Sequence, residues 1–249
     1  IGAALALTLL MIGCGDGQRN QSAEVGGDAA GPGVATVSGE AASPARPGEV
    51  DPSAEPVVLF VGTSLTAGYG LPIEQSYPSL IQEKIDSVGL PFRVVNAGVS
   101  GETSAGALRR IDWLLQQPFE VLVLETGSND MLRGTDPAET ERNIQAIIDR
   151  VRQSRPDARI LLVGMLAAPN LGPEYVASFE AIYPRIAERN GLTLLPFLLE
   201  GVAGVPALNL ADGIHPNARG HRIVAATVWR ALEPILQEEL PGTSRPAPE

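Results

Sequence analysis

The sequence predicts an α/β domain in which a parallel sheet of about five strands lies between two layers of helices. Short segments that are apolar at every position alternate along the chain with longer, amphipathic segments. A strand that is apolar throughout is buried on both faces, as in a parallel sheet covered by helices. Ligands bind to such sheets outside the carboxyl ends of the strands. The loops that follow the strands are therefore the first place to search for a functional site.

The predicted strands are short apolar runs, and the first of them ends at Gly62. Runs of this length and composition are typical of buried strands. In chain order, strands are expected at residues 57–61, 93–96, 120–124, 160–165 and 192–195.

The predicted helices are longer, and several have recognisable ends. Gly89 follows the first helix, and Asn217 is placed to cap the last. Asp136-Pro137-x-Glu139 combines a capping carboxylate, a proline in the first turn and an acid that closes the capping box. Helices are expected at residues 77–88, 103–115, 136–151, 173–189, and from 217 past 229. The helix at 136–151 has an apolar face formed by residues 144, 147, 148 and 151. Trp113 and Trp229 are expected to pack between these helices and the sheet.

The first 13 residues are almost wholly apolar but too few to span a bilayer, which needs about 20 residues. They match the apolar core of a secretory signal peptide, and Leu10 to Cys14 resembles a bacterial lipobox. We therefore expect residues 1–14 to be an export signal cut before Cys14. Cys14 would carry lipid and anchor the exported chain to a membrane of the cell envelope or periplasm. An ordinary cleaved signal with an incidental cysteine is the alternative.

Residues 15–56 are rich in Gly, Ala, Pro, Ser and Glu and contain no aromatic residue. Such a segment cannot bury enough surface to offset its ordering entropy, so it is expected to be a flexible tether. The folded domain is expected at residues 57–240, and residues 241–249 are expected to be a disordered tail.

Charge and composition exclude several classes of function. The formal net charge of −11 at pH 7 disfavours nucleic acid as a partner. The chain has one cysteine, so it can form no internal disulfide, and it has no Cys/His cluster to hold a structural zinc. We expect a monomer without metal or cofactor. Only His215 and His221 are candidates for a histidine base.

Four polar, glycine-containing loops can meet at one edge of the predicted sheet. They span residues 62–70, 96–103, 125–130 and 212–217. Serine hydrolysis needs a hydroxyl, a neutral imidazole and a carboxylate that orients the imidazole, which Ser64, His215 and Asp212 can supply. Donors for the developing oxyanion are expected from the backbone N–H groups of Ser64 and Gly98 and from the amide of Asn129.

These four loops resemble the conserved blocks of the SGNH branch of GDSL hydrolases, and in particular the bacterial multifunctional thioesterase/lysophospholipase group, also called arylesterases. The resemblance extends over residues 57–228 and rests on NAGVSGETSAG, GSND and DGIHPN. It implies a flavodoxin-like, three-layer α/β/α fold, the roles given above for the five site residues, and no cofactor. It also implies small-molecule acyl esters, thioesters or lysophospholipids as substrates.

One residue departs from the name-giving motif. The motif reads Gly-Asp-Ser-Leu, whereas this chain has Gly62-Thr63-Ser64-Leu65. The resemblance implies that the aspartate of the family helps to hold the nucleophile loop. Threonine can donate and accept hydrogen bonds but has no charge, so a weaker hold is expected.

The loop after the fourth strand is the expected wall of an acyl groove. Its side chains are mostly small or apolar, and it has no basic group that could hold an anion. The resembling group uses this loop beside its acyl groove. The expected substrate contacts are Leu166, Pro169, Asn170 and Leu171.

Other interpretations compete with this one. An α/β-hydrolase needs G-x-S-x-G, but Thr66 stands at the last position. Glu125 follows the third strand and resembles a catalytic carboxylate, although Asp212 is closer in sequence to a histidine. A carbohydrate O-deacetylase and a non-catalytic acyl- or lipid-binding protein of the envelope remain as alternative functions.

Overall fold

The computed structural model describes residues 55–240. Their centre is a five-stranded sheet with the order β2-β1-β3-β4-β5, in which every neighbouring pair is parallel. The strands are β1 (Val57–Gly62), β2 (Arg93–Gly98), β3 (Val121–Glu125), β4 (Arg159–Val163) and β5 (Thr193–Leu195). The predicted α/β class and the strand number are confirmed.

The register of the strands brings their carboxyl ends to one edge. Gly62 at the end of β1 pairs with Gly98 at the end of β2. Glu125 at the end of β3 pairs with Val163 at the end of β4. The loops that follow these four strands therefore begin side by side, and those after β1, β2 and β3 are three of the four loops that the sequence analysis expected to meet at one edge.

Eight α-helices cover the two faces of the sheet in the described part of the chain. They are α1 (Ser64–Ala67), α2 (Tyr77–Ser87), α3 (Ser104–Leu114), α4 (Ser128–Leu132), α5 (Pro137–Ser154), α6 (Pro173–Glu180), α7 (Ile182–Asn190) and α8 (Ala218–Glu238). Helices α2 and α8 pack together in one layer, whereas α5 packs against α3, α6 and α7 in the other. The result is a three-layer α/β/α arrangement.

Helix α5 begins and packs as its sequence predicts. The Asp136 carboxylate accepts a hydrogen bond from the Ala138 N–H at 2.9 Å, and Pro137 occupies the first turn. The four apolar residues at helical spacing, 144, 147, 148 and 151, are all fully buried. The cap satisfies one of the N–H groups that have no partner within the helix, and the apolar face provides the packing.

The single helix expected at residues 173–189 is instead two helices, α6 and α7, which meet at Ala181. Pro184 lies in the first turn of α7. Its ring has no N–H to donate to the carbonyl of Glu180 and would clash with that carbonyl in a continuous helix. The chain therefore ends one helix and begins another there.

Among residues 55–240, no helix has the length and apolar character needed to cross a membrane. The export signal, the lipid attachment at Cys14, the tether up to residue 54 and the tail at 241–249 lie outside the described residues, and those predictions remain predictions.

Candidate active site

The nucleophile candidate Ser64 is the first residue of helix α1, directly after β1. The hydroxyl oxygen of Thr63 caps this helix by accepting from the Leu65 N–H at 3.4 Å. Gly68 ends it in the left-handed conformation, at φ +75°, which glycine adopts without a steric penalty. Because Ser64 is in the first turn, its N–H has no acceptor within the helix. The side chain is thus presented at the carboxyl edge of the sheet on a tight turn.

The three residues of the expected triad are in contact. His215 Nε2 lies 2.9 Å from Ser64 Oγ, and His215 Nδ1 lies 2.7 Å from Asp212 Oδ2. With the Nδ1 proton directed to the carboxylate, Nε2 is left as an acceptor for the serine hydroxyl. The geometry therefore permits proton transfer from Ser64 to His215.

The carboxylate of Asp212 is fixed by the backbone of its own loop. Oδ1 accepts from the N–H of Ile214 at 2.9 Å and from the N–H of His215 at 3.0 Å. These bonds, led by the one from the His215 N–H, lower the pKa of Asp212 to about 2 although the side chain is partly exposed. Asp212 is therefore charged at neutral pH.

Tyr69 is a residue of this site that the sequence analysis did not identify. Its ring centroid lies 4.5 Å from that of His215, at an interplanar angle of 38°. Half of Tyr69 is exposed, and its ring packs against the His215 imidazole. The only sequence signal for this contact is that Tyr69 lies in the same glycine-rich loop as Ser64.

Gly98 does not present a free donor. Its N–H donates to Asn96 Oδ1 at 2.9 Å, so the expected role of Gly98 in the oxyanion hole is not supported by this arrangement. A Cβ at Gly98 would lie 2.3 Å from the backbone nitrogen of Ala67. The glycine is needed here because helix α1 rests directly on the end of β2.

Gly101 and Asn129 instead each have an unused N–H donor, and the Asn129 amide is bonded to Glu102, the residue that follows Gly101. Among the hydrogen bonds of residues 55–240, none uses the N–H of Gly101. One hydrogen of the Asn129 amide donates to Glu102 O at 3.0 Å, which leaves the other hydrogen free. The loop is further held by Arg133, which donates to Gly101 O at 3.0 Å, and by a two-pronged contact of Arg110 with the Glu102 carboxylate at 2.7 and 2.6 Å.

Comparison with known proteins identifies the family. Residues 60–223 match the GDSL-like lipase/acylhydrolase family. The chain belongs to this family. The resemblance inferred from the four loops is confirmed, and the protein is an enzyme of the GDSL/SGNH hydrolase type.

The chain is 39% identical over 185 residues to Esterase TesA of Pseudomonas aeruginosa, an alignment that covers 74% of this chain and 91% of that protein. It is 36% identical over 189 residues to the thioesterase 1/protease 1/lysophospholipase L1 of Escherichia coli (strain K12), covering 75% of this chain and 88% of that protein. The crystal structure of AlinE4, an SGNH-hydrolase family esterase, matches with a TM-score of 0.61 at 40% identity and covers 76% of this chain and 98% of that one.

Thr63, which stands where the GDSL motif has aspartate, is buried against the carboxylate of Glu125. Its N–H donates to Glu125 Oε2 at 2.7 Å, and its hydroxyl lies 3.0 Å from both carboxylate oxygens. Glu125 is fully buried and does not contact His215, so it is no substitute for Asp212 in this GDSL hydrolase. The turn is held at Thr63 even though no aspartate stands there.

Helix α4, which carries Asn129, is tied to helix α3 by a buried carboxylate. Asp130 accepts from the N–H of Ser104 at 2.8 Å and from its hydroxyl at 2.5 Å. The cap of α3 is Thr103, whose hydroxyl accepts from the Gly106 N–H. Ser104, the first residue of α3, therefore fixes the position of α4 in the GDSL hydrolase site.

The expected acyl-binding loop lies at the carboxyl end of β4, next to β3. Leu166 is 44% exposed, and a short 3₁₀ turn, Pro169–Leu171, follows it. Asn170 points to solvent, whereas Leu171 is half-buried against the core. The loop offers exposed apolar surface at the correct edge of the sheet, and substrate contact there remains a prediction.

His221 takes no part in the contacts among Ser64, His215 and Asp212. It is buried in α8, and its Nδ1 accepts from the Tyr77 N–H at 3.1 Å. Burial, with a smaller contribution from His215, lowers the pKa of His221 to about 4. A neutral His221 is therefore part of the packing between α8 and α2.

Proposed function

We propose that this GDSL hydrolase is a serine esterase that cleaves acyl esters, thioesters or lysophospholipids through an acyl-enzyme intermediate. The observation that carries the proposal is the chain of hydrogen bonds from Asp212 through His215 to Ser64, at 2.7 and 2.9 Å. A hydroxyl within reach of an oriented neutral imidazole is an activated nucleophile.

In the proposed first half-reaction, Ser64 Oγ attacks the acyl carbon while His215 Nε2 accepts the hydroxyl proton. The bond to the leaving oxygen or sulfur then breaks, and the imidazolium returns the proton to the departing alcohol or thiol. Asp212 holds the ring in the required tautomer and stabilises the imidazolium. In the second half-reaction a water molecule repeats the attack, which releases the acid and regenerates Ser64.

The proposed oxyanion hole consists of the N–H of Ser64, the N–H of Gly101 and the unused hydrogen of the Asn129 amide. Gly101 replaces Gly98 in this role because the N–H of Gly98 is bonded to Asn96. Donors that are already in place cost no reorganisation when negative charge develops on the substrate oxygen.

The proposed acyl groove is bounded by Leu166, Pro169, Asn170 and Leu171. An apolar wall gains about 0.8 kcal/mol for each methylene that it removes from water. We therefore expect kcat/KM to rise from acetyl to hexanoyl or octanoyl esters. The exposure of Leu166 supports this assignment, since an exposed leucine at the substrate edge can be covered by an acyl chain.

Two measurements test the proposal. The wild-type protein should hydrolyse p-nitrophenyl esters and be inactivated by an organophosphonate that labels Ser64, whereas Ser64→Ala should lose activity on the order of a million-fold. Substantial turnover by Ser64→Ala would exclude the mechanism. A monotonic fall in kcat/KM from acetyl onward would favour a carbohydrate deacetylase. Binding of acyl chains without turnover would favour a non-catalytic role.

We further propose that the enzyme is exported and held at a membrane of the cell envelope by lipid on Cys14. The support is the sequence alone: an apolar run ending in a lipobox-like Leu-Met-Ile-Gly-Cys, residues 10–14, which contains the one cysteine of the chain. Fractionation and labelling with a radioactive fatty acid test it. Cys14→Ala should lose the label and leave the membrane fraction, and unchanged fractionation would contradict the proposal.

A further inference from the structure

Tyr69 is joined through its backbone to the residue that carries the nucleophile. Helix α1 ends at Gly68, and the N–H of Tyr69 then donates to the carbonyl of Ser64 at 3.0 Å. Tyr69 and Gly70 form the middle of a turn that is closed by a hydrogen bond from the Leu71 N–H to Gly68 O at 3.0 Å. Gly70 has φ +77°, which residues with a Cβ rarely adopt. The position of Tyr69 is therefore set by the same short helix that presents Ser64.

The same turn packs against the loop that carries the base. The ring centroid of Tyr69 lies 4.5 Å from that of His215. A Cβ at Gly70 would lie 2.7 Å from Leu210 Cδ1, so the next residue of the turn rests on the side chain of Leu210. Leu210 is itself bonded to His215, since its N–H donates to the His215 carbonyl at 2.7 Å. Two adjacent residues of the turn thus contact two bonded residues of the loop that carries the base.

His215 lies on an exposed loop, yet its own side chain is only 18% exposed. Its two ring nitrogens bond to Asp212 and Ser64. Hydrogen bonds at these two edges lie in the plane of the imidazole and resist only weakly a tilt of the ring about the line that joins its nitrogens. A contact with the face of the ring opposes this tilt. Among the ring pairs of residues 55–240, Tyr69 alone packs against His215.

The ring of Tyr69, rather than its hydroxyl, makes this contact. Within residues 55–240 the hydroxyl forms no hydrogen bond, and half of the side chain is exposed. An aromatic ring packs against a neutral imidazole and attracts a cation. The contact is therefore suited to both states of His215, before and after it accepts the proton of Ser64.

We propose that Tyr69 is a positioning residue that ties Ser64 to His215: its backbone follows the nucleophile, and its ring holds the imidazole in line between Asp212 and Ser64. This inference rests on the proposed function, because it takes His215 as the base. Ser64 and His215 are 151 positions apart, so their 2.9 Å contact depends on how the two loops pack together. A misplacement of about 1 Å can cost about 10²-fold in rate.

Three variants test the assignment in steady-state assays with p-nitrophenyl butyrate. Tyr69→Leu removes the ring and should lower kcat about 10- to 100-fold, with KM within about three-fold of the wild type, because a tilted base affects the chemical step. Tyr69→Phe keeps the ring and should lose no more than about three-fold in kcat. Trp113→Leu is the matched control, since it makes the same exchange at an exposed aromatic residue in the last turn of α3, and it should behave as the wild type.

The pattern of the three variants separates this role from others. A wild-type kcat in Tyr69→Leu would overturn the proposal. A rise in KM with kcat unchanged would overturn it by making Tyr69 a substrate contact. Equal losses in Tyr69→Phe and Tyr69→Leu would overturn it by assigning the effect to the hydroxyl.

A spectroscopic measurement tests the position of the imidazole without turnover. The chain has two histidines, so NMR spectra of protein with isotopically labelled histidine contain two sets of ring signals. The Nδ1 proton of His215, assigned by its loss in His215→Gln, is shielded from water by its bond to Asp212. It should be sharp in the wild type and in Tyr69→Phe, and broaden in Tyr69→Leu because a tilting ring exchanges this proton with water.

His221 is the internal control, because it is buried in α8 and should keep its ring signals in every variant. An equally sharp His215 signal in Tyr69→Leu would overturn the proposal. Loss of the native His221 signals in Tyr69→Leu would also overturn it, since Tyr69 would then support the fold rather than the imidazole. If the wild type hydrolyses no ester, the proposed function fails, and the same spectra still decide whether Tyr69 holds the ring.

Discussion

Replacing His221 by glutamine should make the enzyme less sensitive to acid unfolding. His221 is 1% exposed and its pKa falls from 6.5 to about 4, mainly because burial disfavours the charged imidazolium. The unfolded chain takes up this proton below about pH 6.5, whereas the folded chain resists it until about pH 4. Stability is therefore lost as the pH falls through this window.

The size of the effect follows from the same two values. The difference between the folded and unfolded pKa corresponds to about 3 kcal/mol once both states are protonated, and to about 2.5 kcal/mol at pH 4.5. Glutamine retains an oxygen that can accept from the Tyr77 N–H but does not titrate. The variant should thus be close to the wild type at pH 7 and lose about 2.5 kcal/mol less between pH 7 and pH 4.5.

Urea titrations at pH 7, 5.5 and 4.5 measure this difference, and all other ionisable groups cancel in the comparison. The acid limb of kcat/KM should remain in His221→Gln because His215 is the proposed base. His215→Gln is the matched control: it should lose activity and keep the acid sensitivity of unfolding. If the wild type and His221→Gln lose the same unfolding free energy between pH 7 and pH 4.5, the role assigned to His221 is refuted.

The remaining predictions concern the site. Asn129→Ala should lower kcat by roughly 10² to 10³ with a smaller effect on KM in steady-state assays, and a change in KM alone would make Asn129 a binding residue. Asp212→Asn should lower kcat on the order of 10⁴-fold while circular dichroism stays native, because the imidazole loses its orienting charge; a decrease of less than ten-fold would count against the triad. Gly98→Ala should cost about 1 to 3 kcal/mol of unfolding free energy and reduce kcat, since its Cβ would meet the backbone of α1; wild-type melting would contradict this. Leu171→Ser should flatten the rise of kcat/KM from acetyl to octanoyl esters, which four buried methylenes could make several hundred-fold; an unchanged rise would place the groove elsewhere.

The sequence predicted the sheet, and it predicted that Ser64, His215 and Asp212 lie together, because both have strong local signals. Apolar runs of strand length identify the strands, and His215 follows Asp212 by only three positions, so one short loop delivers both groups. The backbone donor of the proposed oxyanion hole was harder to assign, since NAGVSG contains two glycines three residues apart. Which N–H is free depends on the side chain of Asn96, which bonds to Gly98 and leaves Gly101 without an acceptor.

Long-range contacts could not be predicted from the sequence. Tyr69 packs against His215 across 146 positions of the chain, and Thr63 meets Glu125 across 62, so neither pair has a local signature. The expected packing of Trp113 was wrong: it is 66% exposed. Helix α3 buries the face formed by residues 107, 111 and 114, and Trp113 lies outside that face.

The two glycines that end β1 and β2 have a consequence for engineering this enzyme. Gly62 and Gly98 are paired in register, and the short helix that carries Ser64 rests on the space left by their missing side chains. Because a side chain at either position would clash with this helix, we expect most substitutions there to reduce activity. The exposed segment at residues 166–171 follows β4, two strands away from β1, and bears none of this packing. With the acyl groove as proposed, substrate range and catalytic geometry occupy separate parts of the chain, and the first can be diversified while the second is kept constant.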